Sequence, residues 1–184
     1  MIVELFCPSA IARSLDQVDL DDLQARGIDS VILDLDNTIV AWQRFDVPDS
    51  IIQWMSEARK RGIRLCIASN TRNTRRLDEI AGKLAVPSIC RALKPRRKGF
   101  IEALKLMGND AAHTAVIGDQ ILTDVLGGNR VGMYTILVAP MHRREFIGTK
   151  VSRIFEKLLI MWFCRKGLMG TKPLTSQSER EERP

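Results

Sequence analysis

The segment Val31-Ile32-Leu33-Asp34-Leu35-Asp36-Asn37-Thr38 constrains the chain most. An apolar run stops at two carboxylates spaced i and i+2, with a hydroxyl two residues further on. Val31 to Leu33 read as a fully buried strand of a parallel sheet, and in open α/β folds ligands gather just past the carboxyl ends of such strands. Asp34 is thereby placed at the mouth of a site. Two acids this close repel each other when both are ionised, so a fold that keeps them there supplies a divalent cation or leaves one of them protonated. The same eight residues also suit a plain strand that closes in an Asx turn at Asp36-Asn37. The choice rests on what the later strands end in.

Those strands follow a regular pattern. Residues 1–18 are weakly patterned and are expected to cross the surface or cover a sheet edge. Asp19 to Arg26 predict a short helix stopped by Gly27. Pro48-Asp49-Ser50 open a helix through Arg61, with Ile51, Ile52, Met55 and Ala58 facing inward and Gly62 closing it. Ile63 to Ala68 give a second buried strand ending at Ser69-Asn70-Thr71. A charged helix over Asn73 to Leu84, a short extended segment over Val86 to Cys90 and a helix from about Arg97 to Met107 come next. Pro95 disfavours helical geometry at Lys94 and sets that lysine in the loop before the third of these elements. Thr114 to Gly118 form a further strand, ending in Asp119 and, five residues on, Asp124. After a Gly-punctuated turn, Tyr134 to Val138 are the last strand. Strand and helix alternate and the strands are apolar throughout, which predicts a doubly wound parallel sheet in a three-layer αβα sandwich.

Placed side by side, these strand ends supply Asp34 and Asp36, then Ser69, then Asp119 and Asp124, with Lys94 arriving from the loop between. That inventory suits phosphoryl transfer. A carboxylate attacks phosphorus, a metal ion neutralises crowded anions, and a lysine with a hydroxyl holds the remaining oxygens. Asp34 is the expected nucleophile and Asp36 the expected general acid/base. Asp34, Asp36 through its backbone carbonyl, and Asp119 are the expected ligands of Mg²⁺, with Asp124 further out as a water-mediated ligand that also holds Lys94. Asn37, Thr38, Ser69, Asn70 and Lys94 are the candidate phosphate-binding residues.

Asp34-Leu-Asp36-Asn-Thr38, Ser69-Asn70, Lys94-Pro95 and Gly118-Asp119-x-x-x-x-Asp124, in this order at strand ends, resemble the four signature motifs of the haloacid dehalogenase-like phosphohydrolase superfamily. The resemblance extends to its capless subfamily IIIA, YqeG-like branch through Pro8-Ser9, Gly27-Ile28 and the run from Gly127 to Gly132. It spans roughly Phe6 to the apolar stretch before Cys164. It implies a Mg²⁺-dependent phosphatase that passes through an aspartyl phosphate, and it includes enzymes similar to phosphatidylglycerophosphate phosphatases. Ala41 and Thr71 depart from residues common in relatives, an acid and a second Asn. A phosphoryl-accepting signalling module is the reading from another class, and the order of the motifs argues against it. Only residues 39–62 and 71–93 fill the gaps where relatives insert a cap, so the site is expected to be open. An open site suits a large phosphorylated substrate, a lipid headgroup first, with a phosphoprotein or a nucleic-acid end as alternatives.

Charge and composition bound the partners. Between Met141 and Lys172 eight Lys/Arg stand against two acids, which accounts for the whole net charge of +6. Ile147, Val151, Ile154, Leu158 and Trp162 share one helical face, and Lys150, Arg153 and Lys157 another. This predicts an amphipathic helix at 147–166 that lies on an anionic membrane. Its unbroken apolar run is short of the ~20 residues that span a bilayer. The expected organisation is a phosphatase domain over 1–140, this basic region over 141–172 and a disordered tail over 173–184. Arg96, Arg97 and Lys98 have no interleaved aromatic and read as a solvated face, so no nucleic-acid partner is expected. Four cysteines without C-x-x-C pairing and a first segment unlike a signal peptide predict a cytoplasmic protein, peripheral at the inner face of the membrane.

Overall fold

The computed structural model describes residues 2–141; the amphipathic helix expected at 147–166 and the tail at 173–184 lie outside the described residues. Six strands form one sheet, β1 (Ala10–Ala12), β2 (Ser30–Leu33), β3 (Arg64–Ala68), β4 (Ser88–Ile89), β5 (Thr114–Gly118) and β6 (Tyr134–Val138). Every pairing is parallel, in the order β1-β6-β5-β2-β3-β4. Five helices connect them: α1 (Leu20–Ala25), α2 (Asp49–Lys60), α3 (Thr74–Leu84), α4 (Arg97–Met107) and α5 (Leu126–Val131).

Alternation along the strands divides the core into two layers. Val31, Leu33, Leu65, Ile67, Ala115 and Ile117 point to the face covered by α1, α2 and α3. Ile32, Cys66, Ala68 and Val116 point to the other face, against Phe100, Ala103, Leu104 and Met107 of α4. Side chains buried on both faces explain why these strands read as continuous apolar runs. The predicted three-layer sandwich is therefore present. The chain leaves β2 toward β3 and β4, then returns across the sheet to β5 on β2's other side. This makes the β2–β5 junction the switch point where such folds bind ligands.

Two details differ from the sequence reading. The weakly patterned residues before 18 contribute a sixth strand, since Ala10, Ile11 and Ala12 pair with Ile136, Leu137 and Val138. Three residues, two of them alanine, are too short a run to register as strand periodicity. In α2, Ile52 is 42% exposed, while Trp54 is buried and donates its Nε1–H to the carbonyl of Val18 at 2.8 Å. The stripe Ile51, Trp54, Met55 and Ala58 follows the i, i+3, i+4, i+7 rule, and Ile52 falls about 100° off it.

Register brings the strand ends level. Leu33 pairs with Ile67 on one side and Ile117 on the other, so Asp34, Ala68 and Gly118 stand in one row. On the far face α4 approaches the loop after β4 closely. A Cβ on Gly99 would lie 2.4 Å from the carbonyl oxygen of Ala92. Gly99→Ala is expected to lose about 1–3 kcal/mol of stability, because a backbone clash outweighs the ~1 kcal/mol of helix propensity that alanine gains. Urea denaturation measures it, and a stabilised variant would contradict the close approach.

Candidate active site

A cavity of about 280 Å³ opens at the carboxyl ends of the central strands, with Asp34, Asp36, Asn37, Ser69, Asn70 and Lys94 among its walls. Six residues predicted from separate stretches of sequence thus meet in one place. Asp34 follows β2 directly, and its amide donates to the carbonyl of Ile117 at 2.9 Å, so the neighbouring strand fixes its backbone. Lys94 is buried, and its Nζ donates to Asp34 Oδ1 at 2.5 Å and to Asp124 Oδ1 at 2.6 Å. Asp124 is further held at Oδ2 by the amide of Gln120 and the hydroxyl of Thr123, each at 3.2 Å. It comes from a single π-helical turn, Ile121–Val125, that folds over the end of β5. Gly118 permits this, because a Cβ there would lie 2.3 Å from Asp124 Cγ.

Asn70 grips Lys94 by its backbone. Its Oδ1 accepts the amide of Lys94 at 2.8 Å, and its Nδ2 donates to that residue's carbonyl at 3.0 Å. Ser69 Oγ accepts the amide of Thr71 at 3.1 Å, which leaves the hydroxyl proton to point elsewhere. Asn37 stands in the left-handed region, φ 64°, and its Oδ1 accepts the amide of Trp42 at 3.3 Å. Thr38 is buried, and its hydroxyl has no hydrogen-bond partner among the described residues.

Sequence reasoning missed Arg76, which it assigned to a charged helix. The guanidinium is 5% exposed and forms an ion pair with Asp36 Oδ1 at 2.9 Å. Its Nε donates to the carbonyl of Arg44 at 2.8 Å, and Phe45 lies under it at 5.9 Å. The available signal was spacing: Arg76, Ile80 and Leu84 lie four residues apart on the buried stripe of α3. Trp42, Thr71, Gln120 and Thr123 complete the cavity wall.

The charges do not balance among themselves. Asp34, Asp119 and Asp124 are all buried, with carboxylate oxygens within 4.8 Å of one another. Among the described residues Lys94 pairs with two of them, Asp34 and Asp124. Burial opposes the charged form of Lys94, but Asp124 and Asp34 outweigh it and hold its pKa above the ordinary value. Burial, helped by Asp124 and Asp36 against the pull of Lys94, pushes the Asp34 carboxyl up to about 7. Carboxylates buried this close together call for a proton or a cation, and an all-oxygen donor set suits a hard divalent ion. The residues therefore fit a metal.

Residues 6–132 match the model of the haloacid dehalogenase-like hydrolases, and the chain belongs to that family. It is similar to "Probable phosphatase YqeG" of Bacillus subtilis, 36% identical over 167 residues that cover 91% of this chain and 96% of that protein. It is 30% identical over 177 residues to "Phosphatidylglycerophosphate phosphatase 1, chloroplastic/mitochondrial" of Arabidopsis thaliana, covering 88% of this chain and 49% of that protein. The cobalt-bound deoxy-D-mannose-octulosonate 8-phosphate phosphatase of Haemophilus influenzae shares the fold, with a TM-score of 0.51 at 17% identity over 74% of this chain and 89% of that one. The protein is a phosphatase of this family.

With Asp34 titrating near 7 when folded and at 3.8 ordinarily, the folded chain keeps a proton across that window that the unfolded chain has released. In chelator, the parent is therefore expected to lose stability relative to Asp34→Asn as pH rises from about 4 to about 7, and Mg²⁺ is expected to reverse the loss at the upper end. Thermal melts across that range measure it. Parallel profiles for the two proteins would contradict the charge imbalance.

Proposed function

We propose that the protein is a Mg²⁺-dependent phosphomonoester hydrolase that works through an aspartyl phosphate on Asp34, with phosphatidylglycerophosphate as its substrate. The observation that carries the chemistry is the Lys94 ammonium held between Asp34 and Asp124 in a cavity also walled by Asp36 and Ser69. Asp34 attacks phosphorus while Lys94 and the Ser69 hydroxyl hold phosphoryl oxygens. Asp36 gives a proton to the departing ester oxygen, which leaves as an alcohol. It then takes a proton from the water that attacks the aspartyl phosphate, releasing inorganic phosphate and restoring Asp34. Arg76 fixes the Asp36 carboxylate for both transfers. Asp34, Asp119 and the backbone carbonyl of Asp36 would hold Mg²⁺, with Asp124 behind them. When bound, the ion supplies positive charge against the phosphoryl oxygens.

Two features support a lipid ester. Beyond the first motif and after β3 the chain has only α2 and α3 with their loops, so among the described residues no inserted domain caps the cavity mouth. The Arabidopsis relative carries phosphatidylglycerophosphate phosphatase in its name, over a match of about half its length. The basic region at 141–172 would hold the protein on an anionic surface, each Lys or Arg adding about 1 kcal/mol before screening.

Phosphate release is expected to be faster, by kcat/KM, from phosphatidylglycerophosphate in micelles than from sugar phosphates, nucleotides or phosphopeptides. A preferred soluble monoester would overturn the lipid assignment. Asp34→Asn is expected to abolish turnover with the fold intact by circular dichroism. Asp36→Asn is expected to cost on the order of 10²-fold in rate, and more with an alkyl than with an activated aryl phosphate. Equal losses on the two esters would remove leaving-group protonation from its role. Chelation is expected to silence the parent, and returned Mg²⁺ to restore it.

A further inference from the structure

A second hollow, of about 750 Å³, adjoins the catalytic cavity and shares Asn70 and Lys94 with it. Its other walls are Arg72, Arg91, Leu93, Pro95 and Arg96, with no acid among them. None of the three guanidinium groups makes a hydrogen bond or ion pair with another described residue. Four other arginines, by contrast, each face an acid. Arg26 pairs with Asp22, Arg61 with Glu57, Arg64 with Asp29 and Arg76 with Asp36. Three unpaired like charges around one hollow repel each other, and an anion placed among them relieves that repulsion while accepting forked N–H donors.

The backbone holds this arrangement in place. The amide of Arg91 donates to the carbonyl of Thr71 at 3.3 Å, that of Ala92 to Ser69 at 2.9 Å and that of Arg96 to Leu93 at 2.9 Å. With the Asn70 clamp on Lys94, these bonds tie the loop carrying Arg91 and Arg96 to the end of β3. Arg91 and Leu93 both stand in the left-handed region, φ 51° and 54°, a conformation that non-glycine residues adopt only when their surroundings hold them there. The guanidinium groups thus hang from a segment fixed relative to the catalytic lysine.

We infer that this hollow is a subsite for a second anionic group of the substrate, a phosphodiester or a further phosphate attached to the same molecule as the monoester. The inference deepens the proposed function and rests on it, since Lys94 and Asn70 join the subsite to the cavity read there as the monoester site. A monoester in the Asp34 cavity and a diester among Arg72, Arg91 and Arg96 would be bridged by a short polyol lying along Asn70 and Lys94. Such a site selects molecules that carry two phosphates over simple monoesters.

Binding tests this without turnover. In the full chain carrying Asp34→Asn, with Mg²⁺, calorimetry compares glycerol 3-phosphate with glycerophosphoglycerol phosphate, the deacylated headgroup that adds a diester to the monoester. The headgroup is expected to bind about tenfold more tightly, and the advantage is expected to vanish when Arg72→Gln, Arg91→Gln and Arg96→Gln are combined. Arg97→Gln with Lys98→Gln removes two exposed charges outside the hollow and is expected to keep the advantage. Equal binding of the two ligands, an advantage that survives the triple variant, or one lost equally in the control pair would overturn the subsite. An advantage seen only with intact lipid in neutral micelles would belong to the acyl chains and would overturn it as well. Failure of the parent to hydrolyse phosphatidylglycerophosphate would instead sink the proposed substrate, leaving the affinity ratio to decide the subsite by itself.

Discussion

The Lys94 ammonium, held between Asp34 and Asp124, is the interaction on which the rest of the site depends. A buried carboxylate costs several kcal/mol unless it is paired, and here two acids from the ends of the neighbouring strands β2 and β5 share one cation. The lysine is brought in by a loop whose own backbone is clamped by Asn70, and Asp124 is aimed by a π-turn that only a glycine at 118 allows. Removing any of these leaves a charge without its counterpart. Two carboxylates share that lysine, and the Asp119 carboxylate lies within 4.8 Å of both, an all-oxygen set that suits a divalent cation.

Strand register converts this local chemistry into a single site. A residue's slip in the β2–β3 or β2–β5 pairing would turn Asp34 to the opposite face of the sheet from the one its neighbours serve. Core packing on both faces prevents that slip. Val31 and Leu33 are locked against α2 and α3, and Ile32 against α4, so the sheet cannot shift without exposing one layer. The apolar runs and the acids that end them are thus one design, in which burial sets the register and the register sets the distances between carboxylates.

The parallel sheet and the residues at its ends were legible because both signals are local. Apolar runs mark buried strands, and acids placed directly after them mark the site. Thr114–Gly118 and Tyr134–Val138 match their expected bounds, and Asp34, Asp36, Ser69, Asn70 and Lys94 meet in one cavity. What was not legible depends on contacts between distant segments. β1 is a strand only because β6 offers its edge to Ala10, Ile11 and Ala12. Arg76 looks like one more surface charge on a basic helix until α3 docks and turns it toward Asp36. In the turn after Asp36, Asn37 stands in the left-handed region and the amides of Ile39 and Val40 donate back to the carbonyl of Leu35.

The same limit explains the arginines beside the site. Arg72 belongs to the stretch after β3, Arg91 to the end of the β4 segment and Arg96 to the entry of α4, and in sequence each is a solvent-facing basic residue near others like it. Only the return of the chain past Asn70 sets them around one hollow with no acid in it. Single exposed charges contribute little to stability, so their grouping gains nothing for the fold and acts instead on what approaches the cavity. Among the described residues no inserted domain covers the cavity, so groups on its rim are placed to act on selectivity. Guanidinium groups carried on backbone tied to the Lys94 loop are proposed to provide such selectivity, by adding affinity for a second phosphate once the first is seated at Asp34.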